Sequence, residues 1–129
     1  MNPTDRKYSK EHEWAKVEGD VAVVGITDYA QEQLGDVVYL ELPKVADRVE
    51  QMKVFGVIES VKTASDLYAP VSGEVVEVNQ RVIDEPSTVN DAPYEAGWLI
   101  KVRPDSTEAL ERELAGLTEA AAYEQQVGG

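Results

Sequence analysis

The sequence predicts a mainly β protein, a β-sandwich or small barrel, with a short helix in its N-terminal half and helices at its C-terminal end. Two observations predict this class. Short runs rich in β-branched residues recur along the chain, and turn-forming residues separate them. The 129 residues suit one domain, and neither a linker-like stretch nor an internal repeat divides them. We therefore expect a single domain over residues 1–129.

The predicted strands are the β-branched runs. In chain order they cover residues 21–26, 37–42, 54–58, 67–69, 74–78 and 98–102. Pro43 ends the second run, because a proline cannot donate a hydrogen bond to a neighbouring strand.

The predicted helices cover residues 28–34, 105–114 and 118–127, and the last two form a C-terminal helical segment over about residues 105–127. Thr27 can cap the first helix and Gly35 can end it. Asp105 and Glu108 have the spacing of a capping box at the start of the second, and Gly116 follows its end. Thr118 opens the third, an alanine-rich stretch.

The composition excludes several kinds of site. The absence of cysteine excludes disulfides, thiolate nucleophiles and cysteine-ligated metals. The single histidine, His12, excludes a multi-histidine metal site. Redox or transfer chemistry on this chain would therefore depend on a cofactor.

The charge and hydropathy of the chain restrict its partners and location. A net charge of −13 repels phosphate backbones, so we expect no nucleic-acid partner. The same charge can steer the protein toward basic clefts or keep it soluble. Long apolar runs are absent and residues 1–10 are polar, so we expect no membrane span, no secretory leader and a cytoplasmic protein.

Lys62 lies at the centre of the most informative segment, residues 55–70. Two apolar runs flank a small polar centre, a pattern that predicts a β-hairpin with Lys62 at or near its tip. Lys62 is the only basic residue between Lys53 and Arg81, and Glu59 and Asp66 flank it. An exposed, isolated lysine suits a modifying enzyme. The alternative interpretation is an ordinary solvated lysine.

Residues 59–79 resemble the lipoyl-lysine signature of glycine cleavage H proteins. Further segments match that family in the same order. They are residues 12–14, 25–31 and 34–38, and then 89–90, 93–95 and 97–101. The resemblance covers nearly the whole chain.

The resemblance implies a fold and a cofactor. The fold is the lipoyl-domain hybrid of two small antiparallel sheets with added helices, a single lipoyl-carrier domain whose lysine hairpin covers about residues 54–79. Lipoic acid would be joined by an amide to Lys62, with Glu59 and Asp66 in the environment of the modification and the arm. The chain would be a non-catalytic carrier with a swinging arm.

The resemblance also implies partners. A pyridoxal-phosphate glycine decarboxylase would load an aminomethyl group onto the arm, and an aminomethyltransferase would pass the one-carbon unit to tetrahydrofolate. A flavin (FAD) dihydrolipoyl dehydrogenase would reoxidise the dithiol, and a lipoate-attaching enzyme would modify Lys62.

In the family the loaded arm folds into a surface cleft, and the matching positions here are Glu13, His12 and Asp66. Glu11 stands where many members have a small polar residue, and Tyr29 where some have histidine. Taken alone, Glu13 would be a solvated acid and His12 a surface or packed histidine.

Other side chains have structural interpretations. Trp14 and Trp98 are predicted core anchors, and Phe55, Tyr39 and Leu40 are predicted core residues. Ala46 and Met52 replace glycines that the family usually has, so we expect the turns there to change shape.

Four other functions share part of this pattern. A lipoyl domain of a 2-oxo acid dehydrogenase normally hangs on a flexible linker, which this chain lacks. A biotin carrier normally places methionines beside its lysine, whereas Val61 and Thr63 flank Lys62. An H-like protein that relays lipoate to other acceptors would share these motifs. An acidic adaptor would leave Lys62 unmodified.

Overall fold

The computed structural model describes residues 2–128, which form two sheets. The strands are β1 Lys7–Tyr8, β2 Glu13–Glu18, β3 Val21–Ile26, β4 Val37–Glu41, β5 Arg48–Val49, β6 Val54–Ser60, β7 Ala64–Tyr68, β8 Gly73–Val78 and β9 Ile100–Arg103. A six-stranded sheet has the order β1-β2-β3-β9-β8-β5, and a three-stranded sheet has the order β4-β6-β7. All of these pairings are antiparallel. The predicted mainly β class is confirmed.

The predicted strands are all present, with ends that differ from prediction by at most three residues. Strands β1, β2 and β5 were not predicted. β1 and β5 have two residues each, and β2 mixes charged and apolar side chains, so none of them is a β-branched run. These strands are stabilised by pairing with neighbouring strands rather than by a β-branched sequence of their own.

The helices are α1 Asp28–Leu34, α2 Gln80–Asp84, α3 Ser87–Asp91, α4 Thr107–Ala115 and α5 Ala120–Gln126. α1 has its predicted ends, since Thr27 Oγ1 accepts a hydrogen bond from Ala30 N at 3.1 Å and Gly35 follows with a φ of 80°. Helices α2 and α3 were not predicted, because each has five residues and too few turns to show a helical period. No helix within residues 2–128 has the length and apolar character to cross a bilayer.

Two predicted helix starts were wrong. The cap of α4 is Ser106, whose Oγ accepts from Ala109 N at 3.0 Å, whereas the Asp105 carboxylate binds the Arg48 guanidinium at 2.8 and 2.9 Å. Thr118 does not open α5, because its backbone pairs with that of Tyr8.

The loop around β5 also differs from expectation. Ala46 and Met52 have φ angles of 82° and 66°, so both turns keep the backbone region that glycine favours. Ala46 N donates to Val75 O at 2.8 Å, and Met52 N donates to Ala69 O at 2.6 Å. These bonds to the neighbouring chain hold the turns in place without glycine.

The main core lies between the two sheets. Val24 and Ile100 from the larger sheet and Leu40 and Ile58 from the smaller belong to one buried cluster. A second cluster joins α5 to the larger sheet through Tyr8, Trp14, Val23, Ala120 and Tyr123. Burying these side chains supplies the main driving force for closing the sandwich.

The predicted core residues are buried to different extents. Trp14 is buried, with its Nε1 donating to Ile26 O at 2.9 Å and Pro93 O at 3.1 Å, and Trp98 packs half-buried against the second cluster. Leu40 is buried and Phe55 half-buried. The prediction for Tyr39 was wrong, because that side chain is 48% exposed.

Candidate functional site

Lys62 lies at the tip of the β6–β7 hairpin. Ser60 N donates to Thr63 O at 2.7 Å and closes the turn. Ser60 Oγ accepts from the backbone N of Lys62 and of Thr63, both at 3.1 Å. The turn therefore fixes the backbone of Lys62 and leaves its side chain exposed. The hairpin ends at Tyr68 rather than near residue 79, because β8 pairs with β5 and β9 in the other sheet.

The hairpin tip contacts the junction between α1 and β4. Val61 N donates to Asp36 O at 3.0 Å. The Lys62 side chain lies against Gly35, where a Cβ would come within 3.1 Å of Lys62 Cε. Gly35 thus leaves room for the lysine while its positive φ turns the chain out of α1.

Asn90 on α3 holds that junction in place. Its Oδ1 accepts from Val37 N at 2.9 Å, and its Nδ2 donates to Gly35 O at 2.8 Å and to Gln31 Oε1 at 3.0 Å. One amide side chain therefore satisfies backbone groups on both sides of Asp36, the residue that contacts the hairpin.

A groove of about 490 Å³ runs along β7 and begins beside the tip at Thr63. It brings together the predicted residues His12, Glu13 and Asp66, together with Glu11 and Tyr29. Its apolar lining includes Ile26, Leu34, Ile58 and Leu67. Glu59 is not in the groove; it lies exposed on β6, paired with Tyr39 and Ala64.

Glu13 is a buried acid, so its interpretation as a solvated acid was wrong. Its side chain is 2% exposed, its Oε1 accepts from Ser9 Oγ, and its Oε2 accepts from Tyr68 N at 3.0 Å. Burial raises the pKa of the Glu13 carboxyl to about 7, although both hydrogen bonds favour the charged form. Glu13 therefore changes its protonation state near neutral pH, inside a groove that also holds the exposed carboxylate of Asp66.

His12 belongs to a hydrogen-bonded chain of side chains. Its Nδ1 lies 2.8 Å from Tyr123 Oη, which lies 2.7 Å from Thr27 Oγ1, the cap of α1. Burial lowers the pKa of the His12 imidazole and favours its neutral form, and the centroid of the Tyr29 ring lies 4.8 Å from that of the imidazole. Burial raises the pKa of Tyr123 to about 12, so its hydroxyl keeps its proton.

Two functional candidates were missed in the sequence. Ser9, which binds Glu13, gives no local signal, because an isolated serine before a strand has many structural uses. Tyr123 had one signal: it is the only aromatic residue in the predicted C-terminal helical segment. Within residues 2–128, no three His, Cys, Asp or Glu side chains converge as a metal site.

Comparison with known proteins identifies relatives over nearly the full length. The sequence matches the family described as "Glycine cleavage H-protein" over residues 6–127. It is 51% identical over 126 residues to a glycine cleavage system H protein of Staphylococcus carnosus (strain TM300), covering 98% of this chain and 97% of the relative. It is 56% identical over 113 residues to one of Carboxydothermus hydrogenoformans, covering 88% of this chain and 87% of the relative.

A solved structure has the same fold. The crystal structure of a glycine cleavage system H protein from Mycobacterium marinum matches with a TM-score of 0.89 and 41% identity, covering 99% of this chain and 100% of that one. This match confirms the lipoyl-domain-like sandwich of two sheets that the sequence resemblance implied. The length of these matches, the identities and the shared fold agree, and the chain belongs to the glycine cleavage H-protein family.

Proposed function

We propose that this chain is a single lipoyl-carrier domain of the glycine cleavage system, with lipoic acid joined by an amide to Lys62 Nζ. The observation that carries the proposal is the exposed Lys62 at a hydrogen-bonded hairpin tip, beside a groove that holds Glu13, His12 and Asp66. The amide would form when an activated lipoyl group is transferred to Nζ, which loses a proton as the activating group leaves. The chain itself would catalyse nothing.

The groove fits the arm in size and chemistry. Its apolar lining suits a hydrocarbon chain, and its carboxyl groups suit a cationic nitrogen. When bound, the lipoyl group would supply a disulfide that takes up an aminomethyl group and two electrons. The partners in this proposal are the pyridoxal-phosphate decarboxylase, the tetrahydrofolate-dependent aminomethyltransferase, the FAD-dependent dihydrolipoyl dehydrogenase and the enzyme that attaches lipoate. Location in the cytoplasm stays a prediction.

The residues of the groove would shield the carried group. Asp66 is exposed on β7 and would accept a hydrogen bond from a cationic aminomethyl nitrogen. Glu13 lies deeper, and a cation beside it would favour its ionised form. Ile58 and Leu67 would exclude water from that side of the groove. The absence of cysteine leaves no protein thiol to exchange with the carried disulfide.

Mass spectrometry of the protein from its native host tests the proposal. We expect one lipoyl group, located on Lys62 by peptide fragmentation. Lys62→Arg should keep the native circular dichroism spectrum, because the hydrogen bond from its backbone N to Ser60 Oγ remains, and should carry no lipoyl group. Biotin on Lys62 would indicate the rival carrier class. An unmodified chain from cells that make lipoate would support the adaptor function instead.

A further inference from the structure

A β-bulge turns two successive apolar side chains of β4 outward. Val37 pairs with Ser60 and Tyr39 pairs with Glu59, so Val38 is an extra residue on β4. Val37 and Leu40 are each 4% exposed, whereas Val38 is 53% exposed and Tyr39 is 48% exposed. In a regular strand, successive side chains would point to opposite faces. The bulge therefore exposes two apolar side chains, Val38 and Tyr39, that are not buried in the core.

Val61 extends this apolar surface to the hairpin tip. It is 68% exposed, and its N–H bond to Asp36 O continues the pairing of β6 with the β4 side. Val61 directly follows β6, and the alternation of that strand, continued by the bond to Asp36, places Val61 on the same face as Glu59, which lies opposite the bulge. We name the surface formed by Val38, Tyr39 and Val61 the tip patch.

Acidic side chains border the tip patch. Asp36 and Glu41 flank it on the β4 side, and Glu59 lies opposite the bulge; all three are exposed. None of them forms an ion pair within residues 2–128. An apolar centre with an uncompensated acidic border is complementary to an apolar hollow bordered by lysine and arginine.

The tip patch and the groove lie on opposite faces of the three-stranded sheet at β6. β4 and β7 are the two edges of the three-stranded sheet, with β6 between them. The groove extends from β7 to α1 and includes Ile58 of β6, whereas the tip patch lies on the face of Glu59, the next residue of β6, whose side chain points the other way. The Lys62 side chain lies against Gly35, directly before β4, and does not line the groove. A protein on the tip patch would reach the amine and leave the groove open.

We propose that the tip patch is the docking surface for the enzyme that attaches the lipoyl group to Lys62, an inference that rests on the function proposed above. An unmodified lysine reaches only as far as its own side chain, so an enzyme that acylates Nζ must contact the hairpin tip. Enzymes that act on the end of the attached arm meet the reactive group farther from the tip. The occupant therefore needs a basic-bordered apolar hollow beside its acyl-transfer site.

Acylation kinetics test this surface. The full-length unmodified chain is the acceptor for a purified lipoate ligase with lipoate and ATP. Val38→Ser should raise the KM for the acceptor about fivefold and Tyr39→Ser about tenfold, with kcat nearly unchanged, because each removes apolar contact made on docking. Val17→Ser is the matched control, since Val17 is 45% exposed on β2 of the other sheet, and its KM should equal that of the wild type. Added salt should raise the wild-type KM by screening the acidic border.

A second measurement separates docking from chemistry. The Lys62→Arg chain cannot accept the lipoyl group, and its affinity for the ligase should fall when Val38→Ser is added. Equal KM values for Val38→Ser, Val17→Ser and the wild type would overturn the docking surface while leaving the carrier function intact. Weaker binding to the decarboxylase alone, with the ligase unaffected, would show that the occupant was misidentified. A wild-type chain that the ligase never modifies would overturn the carrier function itself.

Discussion

The Tyr123 hydroxyl lies 2.8 Å from Nδ1 of His12, a residue 111 positions earlier in the chain. Through this contact the C-terminal helix α5 supports the wall of the groove. The same hydroxyl lies 2.7 Å from Thr27 Oγ1, so one phenol joins α5, the cap of α1 and the loop before β2. Two further bonds join the same segments, since Thr27 N donates to His12 O at 3.0 Å and Gln126 Nε2 donates to Lys10 O at 3.0 Å.

Tyr123→Phe should lower the free energy of unfolding by about 1–3 kcal/mol, because His12 and Thr27 both lose a buried partner. Urea unfolding at pH 7 measures the change. Tyr39→Phe is the matched control, since that tyrosine is 48% exposed, and it should leave stability nearly unchanged. Equal stability of the two variants would contradict a structural role for the Tyr123 hydroxyl.

Glu13 should make the folded state less stable as the pH rises. Its folded pKa of about 7 lies above the ordinary value of 4.5, so the folded state holds more protons between these two values. Stability is therefore lost across that window as the pH rises. Glu13→Gln removes the titration and keeps a polar group for Ser9 and Tyr68. The free energy of unfolding of this variant, relative to that of the wild type, should therefore rise by roughly 2–3 kcal/mol between about pH 5 and about pH 8. Urea unfolding at both pH values checks this, and parallel pH dependences would refute it.

Asp66→Asn should shorten the lifetime of the loaded aminomethyl group without preventing lipoylation. Replacing the carboxylate weakens a charge-assisted hydrogen bond to the aminomethyl nitrogen. We therefore expect the aminomethyl group to be lost about tenfold faster. The release of formaldehyde or ammonia from the loaded protein measures that rate. Glu59→Gln is the matched control, because Glu59 is an exposed acid on the same hairpin that lies outside the groove. If both variants lose the group at the same rate, Asp66 has no special role.

Ala46→Gly and Met52→Gly should each stabilise the fold slightly. Both residues have positive φ, where a Cβ costs about 1–2 kcal/mol, and the greater freedom of glycine in the unfolded chain offsets part of that gain. The expected net gain is about 0.5 kcal/mol per site. Ala109→Gly, in α4, should destabilise the protein by about 1 kcal/mol. Thermal unfolding of the three variants tests the difference in sign.

The predictions that succeeded rest on local signals. The turn between β6 and β7 is fixed by Ser60, which bonds to residues only two and three positions away. The ends of α1 depend on Thr27 and Gly35, which are adjacent to it. Both partners of such a contact lie within a few residues of each other, so the contact can be predicted from the local sequence.

The predictions that failed depend on distant partners. Glu13 is buried because Ser9 and Tyr68 satisfy its carboxyl group, and Tyr68 lies 55 positions away. Tyr39 is exposed because β6 pairs with β4 across a bulge, which the apolar pattern of β4 does not mark. The expectation for Ala46 and Met52 failed because backbone bonds to Val75 and Ala69 hold both turns.

The hydrogen bonds of Asn90 also determine when, during synthesis, the surroundings of the lysine hairpin can form. The α1–β4 junction that contacts the tip is held by a side chain more than fifty positions along the chain, at 53 residues from Val37 and 55 from Gly35. During synthesis, the hairpin residues leave the ribosome before Asn90 does. The complete α1–β4 junction beside Lys62 therefore forms only once α3 is in place, so recognition of that junction would require a chain synthesised past residue 90.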